Sequence, residues 1–225
     1  EVVIFRNKDD KALQESIEEL AEKISKAQIL AIPGGFSLGD EPGGSGKFIA
    51  NVIRSEKVKK AIETLLDGND GLILGICNGF QALVKTGLLP YGKIKDLEED
   101  DPTLTYNTCS RHIARVVDTV VMSNNSPWLA KLDEGKTYKV PISHGEGRFI
   151  ASEEAIKEIL DKEQVALCYA DAPNGSALNV EALMSEDGKI LGKMGHSERK
   201  GENLYFNVPG EKDQQIFESG VRYFK

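Results

Sequence analysis

The sequence is poor in cysteine and in positive charge and has no long apolar run, and each shortage excludes a kind of protein. Its 3 cysteines are odd in number and irregular in spacing, so a disulfide framework is excluded and a reducing, cytoplasmic setting is expected. No apolar run approaches the ~20 residues that a membrane-spanning helix needs. With 28 Lys and Arg against 36 Asp and Glu, the net charge of −8 argues against a nucleic-acid-binding or anionic-membrane surface.

The remaining composition is that of an ordinary globular protein, with 40% hydrophobic and 28% charged residues. A chain of 225 residues is long enough for one substantial core, and no repeat or linker divides it, so we expect a single domain.

Strand-like and helix-like segments alternate along the chain, which is typical of an α/β fold. The many strands of the second half indicate that part of the sheet is antiparallel or forms a side ribbon. Residues 90–112 are polar and are predicted to be irregular. The patterns predict strands at 2–6, 29–33, 72–76, 114–122, 136–143, 164–170 and 188–194, and helices at 11–27, 48–66, 78–86, 125–132, 152–160 and 212–224. Asn125 or Ser126 is the expected N-cap of the helix that contains Pro127.

One cysteine, Cys77, stands at the junction of a predicted buried strand and a predicted helix. The surrounding Gly75-Ile-Cys-Asn-Gly79 matches the strand–nucleophile–helix elbow, with cysteine in the nucleophile position. Glycines suit such a turn because neighbouring elements come too close for a Cβ. A thiol at a helix N-terminus is favoured as thiolate, and the N–H of Asn78 can contribute to an oxyanion hole. The competing interpretation is a buried, inert cysteine with glycines that serve packing.

A nucleophilic cysteine needs a base, and the base needs a group that orients it. Two of the three histidines stand in His-x-Glu patterns after predicted strands: His144 with Glu146, and His196 with Glu198. Spacing alone does not choose between them, and each could be an ordinary loop histidine.

The other cysteines are interpreted as structural. Cys168 lies inside an apolar predicted strand. Cys109 and His112 form a C-x-x-H half-site, but no second pair completes the ligand set that zinc requires.

A glycine-rich segment at 34–46 raises the question of a phosphate site. It matches neither the P-loop nor the dinucleotide fingerprint, and Asp40 and Glu41 would repel a phosphate. One interpretation is a flexible surface loop. The other is that the Gly34 and Gly35 amides supply a second oxyanion donor opposite the elbow.

Several segments together resemble a known family. "GICNGFQAL", "IPGGFSLGDEPGGSGKFIA", "HGEGRF", "YADAPNGSALNVEAL" and "GKMGHSERKGENLY" are similar to class I (triad) glutamine amidotransferases, and among these to the glutaminase part of phosphoribosylformylglycinamidine synthase. The similarity extends over nearly the whole chain. It implies an α/β, flavodoxin-like, open and mostly parallel sheet with helices on both faces and the site at the carboxyl ends of the strands.

The resemblance also implies roles for particular residues. The catalytic triad would use the second His-x-Glu pattern, and His144 would lie near the site in a supporting role. The implied site residues are Cys77, His196 and Glu198 as triad, Gly35 and Asn78 as oxyanion hole, and Gly34, Phe36 and Gln81 as substrate contacts.

The implied reaction is hydrolysis of L-glutamine to glutamate and ammonia through a cysteinyl thioester. The ammonia would pass to a synthase domain that uses formylglycinamide ribonucleotide, ATP and Mg²⁺, while this segment itself would hold no metal or cofactor. Two alternatives stay open: the glutaminase of a different amidotransferase or a related cysteine hydrolase, and a non-catalytic or redox-sensing module built on the same elbow.

Two departures from the family pattern affect these expectations. Ser197 stands where the family commonly has proline. The family domain also opens with a strand and turn that precede the segment matching Glu1. Because this opening portion is absent, we expect residues 1–225 to be one glutaminase domain that lacks its first strand. The synthase domain could be fused to it or be a separate subunit, and the missing start favours the fused form, in which the domain is the C-terminal part of a longer chain.

Overall fold

The computed structural model describes residues 1–6, 8–36 and 45–225. Most of the predicted glycine-rich loop lies outside these ranges. Asp40 and Glu41 are among the residues outside, so the expectation that they repel a phosphate stays a prediction.

A mixed seven-stranded sheet forms the centre of the described structure. Its order is β1-β2-β9-β8-β7-β4-β5, and β3 and β6 form a separate two-stranded antiparallel ribbon. The strands are β1 (Ile29–Ile32), β2 (Leu72–Ile76), β3 (Thr103–Tyr106), β4 (Ile113–Val121), β5 (Thr137–His144), β6 (Glu146–Ile150), β7 (Val165–Tyr169), β8 (Val180–Met184) and β9 (Ile190–Lys193).

The strand directions combine a parallel part with an antiparallel part. β1, β2 and β9 pair in parallel, whereas each later neighbour pair in the order, from β9–β8 to β4–β5, is antiparallel. Strands β1, β2, β9, β7 and β5 consequently point one way, and β8 and β4 point the other. The number of strands in the second half predicted either an antiparallel portion or a side ribbon, and the structure has both.

The middle of the sheet is covered on both faces. Every residue of β2, β8 and β9 is buried, and successive side chains of a strand point to opposite faces. The chain therefore has the α/β, flavodoxin-like fold, with a mostly co-directional sheet between helices, that the resemblance implied.

The helices alternate with the strands of the first half and close the chain. They are α1 (Asp10–Lys26), α2 (Lys47–Arg54), α3 (Glu56–Glu63), α4 (Asn78–Lys85), α5 (Leu88–Tyr91), α6 (Glu153–Asp161) and α7 (Ile216–Arg222), with a π-helical turn at Thr64–Gly68 and 3₁₀ turns at Pro127–Leu129 and Ala177–Asn179. Within the described ranges, no helix combines the length and the apolar character needed to cross a membrane.

Two N-caps show how local chemistry starts these elements. Asp9 accepts a hydrogen bond from the backbone N–H of Ala12 at 2.8 Å and begins α1. Ser126, and not Asn125, caps the 3₁₀ turn: its hydroxyl accepts from the N–H of Trp128 at 3.2 Å, with Pro127 in the first position. The predicted helix at 125–132 is shortened to this one turn, and the Trp128 ring packs against Gly220 of α7.

The predicted strand at 2–6 is wrong. Residues 1–6 have no regular secondary structure, and Val2 is 81% and Ile4 74% exposed. The N–H of Arg6 donates to the Ser16 hydroxyl at 3.0 Å and not to a neighbouring strand. A β-branched run favours a strand only where another strand pairs with its backbone.

The sequence patterns missed three short strands. β3 lies inside the segment predicted to be irregular, and β6 and β8 had no prediction at all. Each is four or five residues long, and each depends on pairing with a remote segment, as β3 does with β6. Periodicity over so few residues carries little signal.

Helix α4 packs closely on strand β1, beside the elbow that joins β2 to α4. A Cβ on Gly79 would lie 2.1 Å from the carbonyl oxygen of Ile32 and 2.9 Å from its carbon. A Cβ on Gly75, at the end of β2, would lie 2.6 Å from Leu83 Cδ1. The two predicted elbow glycines are therefore required by close approach of backbone and side chains.

Replacement of Gly79 by alanine is expected to destabilise the fold by about 1–3 kcal/mol, because the added methyl meets strand backbone that cannot rotate away. Urea unfolding measures the effect. The matched control is Gly68→Ala, where the new Cβ would have only an ordinary contact at 3.6 Å with Thr64. Equal unfolding free energies for the two variants would contradict the packing argument.

Candidate active site

The elbow between β2 and α4 holds Cys77 in an unusual backbone conformation. Its φ is 51° and its ψ −104°, a region that residues other than glycine rarely adopt. Two backbone hydrogen bonds fix it there: Cys77 N–H donates to the Lys193 carbonyl at 2.8 Å, and Gln81 N–H donates to the Cys77 carbonyl at 3.0 Å. The turn places the side chain in a cleft at the carboxyl end of β2, the edge of the sheet where the family resemblance implied the site.

The Cys77 side chain is only 6% exposed and lies at the N-terminus of α4. Its Sγ is 3.8 Å from the backbone carbonyl of Ser143. The helix N-terminus is the end that favours a negative charge, so this position suits a thiolate.

His196 and Glu198 form the closest side-chain pair at this cleft. His196 Nδ1 lies 2.5 Å from Glu198 Oε1. A carboxylate only accepts hydrogen bonds, so Nδ1 carries the proton and, in the neutral ring, Nε2 carries the lone pair. Burial is the largest single influence and raises the pKa of the Glu198 carboxyl, but the hydrogen bond from His196, a backbone hydrogen bond and the nearby positive charges of His196 and Arg199 together lower the pKa below its ordinary value.

The free nitrogen of this histidine is enclosed in the cleft. His196 is 2% exposed, and its Nε2 is buried without a hydrogen-bond partner among the residues that the structure describes. A buried nitrogen with a lone pair and no partner is costly unless a substrate or reacting proton uses it.

Gly34 lies close to both Cys77 and His196. A Cβ at Gly34 would lie 2.8 Å from His196 Cε1 and 3.2 Å from Cys77 Cβ. The glycine therefore lies between the two side chains, where a larger residue would separate them. Gly34 was predicted as a substrate contact; it is not among the residues that line the cleft, and the contact stays a prediction.

Gly35 and Asn78 meet across the cleft. The Asn78 amide Nδ2 donates to the Gly35 carbonyl at 3.0 Å, and Gly35 has a φ of 137°. Both line the cleft with Cys77, so the two predicted oxyanion residues flank the thiol.

The other predicted substrate contacts also border the cleft. Gln81 is buried, and its Nε2 donates to the backbone carbonyl of Glu146. Phe36 is 82% exposed, so its ring forms an open edge of the cleft.

The structure distinguishes His144 from His196, which their spacing in the sequence could not do. His144 Nδ1 lies 3.0 Å from Asn107 Oδ1. The Asn107 amide Nδ2 donates to the carbonyls of His144 at 2.8 Å and of Arg111 at 2.9 Å, which fixes its oxygen toward the ring. His144 Nδ1 is therefore a donor to an amide, whereas His196 is oriented by a carboxylate.

The environment keeps the His144 ring neutral. Burial, followed by the nearby charges of His112 and His196, lowers the pKa of His144 from 6.5 to about 4. Its Nε2 is then a hydrogen-bond acceptor that lines the cleft, buried and without a partner in the described part of the chain.

Sequence reasoning missed Asn107, Ser143 and Arg199. Asn107 orients His144 from 37 positions away, and no local pattern marks it. Ser143 and Arg199 line the cleft and are the sequence neighbours of His144 and Glu198, so a search beside each histidine motif would have found them.

The cysteines interpreted as structural lie outside the cleft. Cys109 is exposed, with its Sγ 3.6 Å from the Arg111 carbonyl, and burial raises the pKa of the Cys168 thiol to about 11.

His112 Nε2 contacts the Ser143 hydroxyl at 3.0 Å. Over residues 1–6, 8–36 and 45–225, no cluster of three His, Cys, Asp or Glu could hold a metal ion.

Comparison with known proteins agrees with this geometry. Residues 5–224 match the family model described as CobB/CobQ-like glutamine amidotransferase domain. A chain from the structure of PurLQS from Thermotoga maritima is 30% identical, with a TM-score of 0.67, and the match covers 88% of this chain and 80% of that one.

Two more distant structures share the fold. A GMP synthase component from Thermoplasma acidophilum is 12% identical, with a TM-score of 0.53 and coverage of 92% of this chain and 77% of that one. The glutaminase domain of Trypanosoma brucei CTPS, solved with bound acivicin, is 13% identical, with a TM-score of 0.56 and coverage of 99% and 80%.

The lowered pKa of His144 predicts a pH dependence of stability. Between pH 6.5 and about 4 the unfolded chain binds a proton at this residue and the folded chain does not, so the free energy of unfolding falls as the pH falls. The contribution approaches about 1.4 kcal/mol per pH unit within that window.

Chemical unfolding of the wild type and of His144→Asn from pH 7 to pH 4.5 measures it. The wild type should lose stability more steeply than the variant, while His112→Asn, which removes one neighbouring charge and leaves the larger effect of burial in place, should keep most of the wild-type slope. Parallel curves for wild type and His144→Asn would contradict the assignment of a neutral, buried ring.

Proposed function

The chain belongs to the CobB/CobQ-like glutamine amidotransferase family, and from that membership we propose that it hydrolyses L-glutamine to glutamate and ammonia with Cys77 as nucleophile. The observation that carries the proposal is the cleft in which an elbow cysteine with positive φ meets a histidine held by a carboxylate. These are the parts that nucleophilic acyl transfer requires.

The first half-reaction forms a thioester. The Cys77 sulfur attacks the side-chain carbonyl carbon of glutamine, and His196 Nε2 accepts the thiol proton. The C–N bond then breaks, and His196 returns the proton to the departing nitrogen, which leaves as ammonia. The protonated Nδ1 of His196, fixed by Glu198, leaves Nε2 available for both transfers.

The second half-reaction is hydrolysis. His196 accepts a proton from water as the water oxygen attacks the γ-glutamyl thioester. The C–S bond then breaks, and His196 returns the proton to the departing sulfur, which releases glutamate and the Cys77 thiol. Glu198 stabilises the imidazolium formed in each half-reaction and does not itself take the proton. Its lowered pKa keeps it ionised for this task.

The negative oxygen of each tetrahedral intermediate needs donors beside the thiol. Backbone N–H groups of Gly35 and Asn78 are the proposed donors, because both residues flank Cys77 and are tied to each other. Preorganised donors of this kind contribute about 10²–10³-fold to the rate.

The walls of the cleft suit a polar, amide-bearing substrate. His144 Nε2 offers a buried acceptor, for which the proposed partner is an N–H group of glutamine. Gln81 and Phe36, the remaining proposed contacts, border the same space.

The proposed destination of the ammonia is a formylglycinamidine ribonucleotide synthase in purine biosynthesis. The support is the motif resemblance together with the 30% identity to a chain of PurLQS. ATP and Mg²⁺ would act in that synthase component and not in this chain. Cys77, Cys109 and Cys168 form no disulfide among the described residues, and we place the reaction in the cytoplasm.

Treatment with diazo-oxo-norleucine, a glutamine-directed electrophile, tests the nucleophile and the substrate class together. Mass spectrometry of the native chain with its synthase component should show one adduct, on Cys77, that excess glutamine prevents. Cys109→Ala and Cys168→Ala, the matched controls, should retain the adduct and the activity. Absence of a Cys77 adduct in the folded protein would reject the glutaminase proposal and favour the redox-sensing or non-catalytic alternative.

Rates of the triad variants should follow their proposed roles. Cys77→Ala and His196→Asn should each lower the glutaminase rate by about 10³-fold or more, and Glu198→Gln by less, since it leaves both reacting groups in place. Glutamate release measures the rates. A Glu198→Gln variant slower than Cys77→Ala would contradict the assignment.

The role of His144 predicts a change in binding more than in chemistry. His144→Phe removes the Nε2 acceptor while filling the space, so KM for glutamine should rise about tenfold or more with kcat within a few-fold of the wild type. Steady-state kinetics separates the two constants. An unchanged KM would show that the acceptor does not contact the substrate.

A further inference from the structure

A lysine and a glutamate form an ion pair inside the sheet, directly behind the site. Lys193 Nζ lies 2.9 Å from Glu181 Oε1, and both side chains are 0% exposed. The two residues lie on neighbouring antiparallel strands, β9 and β8, where Lys193 is in register with Ala182.

Both members of the pair also hold the backbone of one residue, Gly195. Gly195 N–H donates to Glu181 Oε1 at 2.6 Å, and Lys193 Nζ donates to the Gly195 carbonyl at 2.9 Å. That carbonyl belongs to the peptide group that joins Gly195 to His196. The N–H of the same peptide group, which belongs to His196, donates to the Pro141 carbonyl at 2.8 Å. Hydrogen bonds therefore hold both the carbonyl and the N–H of the peptide group between Gly195 and His196.

The same strand end holds the nucleophile. The backbone carbonyl of Lys193 accepts the N–H of Cys77 at 2.8 Å. Lys193 therefore fixes Cys77 through its main chain and the His196 peptide through its side chain, and the relative position of the two reacting residues depends on one residue of β9.

Stability alone does not account for a buried pair of charges here. Taking both charges out of water is costly, and apolar replacements of buried pairs are often neutral or stabilising. Each charge of the pair meets the backbone group of opposite polarity: the carboxylate accepts a hydrogen bond from the Gly195 N–H, and the ammonium group donates one to the Gly195 carbonyl.

Gly195 is the residue that permits this contact. A Cβ there would lie 2.5 Å from Glu181 Oε1, 2.6 Å from Val140 Cγ1 and 3.0 Å from Lys193 Nζ. Any side chain would push the ion pair away from the backbone that it holds.

We propose that Lys193 and Glu181 are a positioning pair, which sets the orientation of His196 relative to Cys77 and Glu198 by binding both polar groups of Gly195. The proposal deepens the proposed glutaminase function and rests on it. The pair touches neither the substrate nor the reacting atoms, so its effect should appear in kcat and in the His196–Glu198 hydrogen bond, and not in substrate binding.

The test is the double variant Lys193→Met/Glu181→Gln in the full native chain with its synthase component. It removes both charges together, which avoids leaving one of them buried and unpaired. We expect kcat for glutamine hydrolysis to fall about 10- to 100-fold, with KM within about threefold of the wild type. The downfield proton signal of His196 Nδ1, which reports its hydrogen bond to Glu198, should be lost from the NMR spectrum.

The control removes another cross-strand ion pair of the same sheet. Lys139 Nζ lies 2.6 Å from Asp118 Oδ2 between β5 and β4. Lys139→Met/Asp118→Asn should keep the wild-type kcat, KM and Nδ1 signal.

A folded Lys193→Met/Glu181→Gln variant that keeps either the kcat or the Nδ1 signal of the wild type would overturn the proposal. If the double variant fails to fold, Gly195→Ala replaces it in the test, because its methyl group displaces both charged groups without removing them. The same fall in kcat and the same loss of the Nδ1 signal are then expected. If the wild type itself hydrolyses no glutamine, the proposed function fails, and the Nδ1 signal alone then decides whether the pair positions His196.

Discussion

The site depends on the sharp turn from β2 into α4, where Cys77 is held at positive φ. A residue in such a conformation costs about 1–3 kcal/mol, and it persists only where its surroundings over-determine it. Here the surroundings are the parallel pairing of β2 with β9, the hydrogen bond from Cys77 N–H to Lys193, and the glycine contact of α4 with β1. Removing any of these would relax the elbow and withdraw the thiol from the cleft.

Two histidines with nearly identical sequence surroundings acquire different chemistry from different partners. His196 is buried beside a partly exposed carboxylate, which accepts the Nδ1 hydrogen and so fixes the tautomer with the lone pair on Nε2. His144 is buried beside an amide, which fixes the same tautomer but gives no charge compensation, so its pKa falls. One ring is thereby suited to carry a proton between atoms, and the other to accept a hydrogen bond without ever becoming charged near neutral pH.

The sequence predicted features whose causes are local. The buried run of β2, the elbow glycines and the periodicity of α1 all appear where their patterns placed them. The choice between His144 and His196 needed either the family resemblance or the structure, because the deciding partner of His144 is Asn107, far along the chain. The catalytic and substrate-binding roles of the residues that meet at the cleft stay predictions.

Features that depend on remote partners could not be predicted. Strand β8 is defined by its neighbours β7 and β9, and residues 1–6 have strand-like composition without a strand beside them. Lys193, at the end of an apolar strand, looks in sequence like a residue that reaches solvent. Only the side-chain contact in the structure shows that Glu181 meets it inside the protein.

The chain has one tryptophan, Trp128, whose intrinsic fluorescence can report on the fold. Trp128 is 1% exposed, its indole Nε1 donates to the Lys189 carbonyl at 3.0 Å, and Gly220 of α7 lies against its ring. Its fluorescence therefore originates from a single environment, formed by the C-terminal helix and by the strand end opposite the one that meets Cys77. Detachment of α7 would remove Gly220 from the ring and change the emission wavelength, so the fluorescence of this single residue reports whether the C-terminal helix is docked.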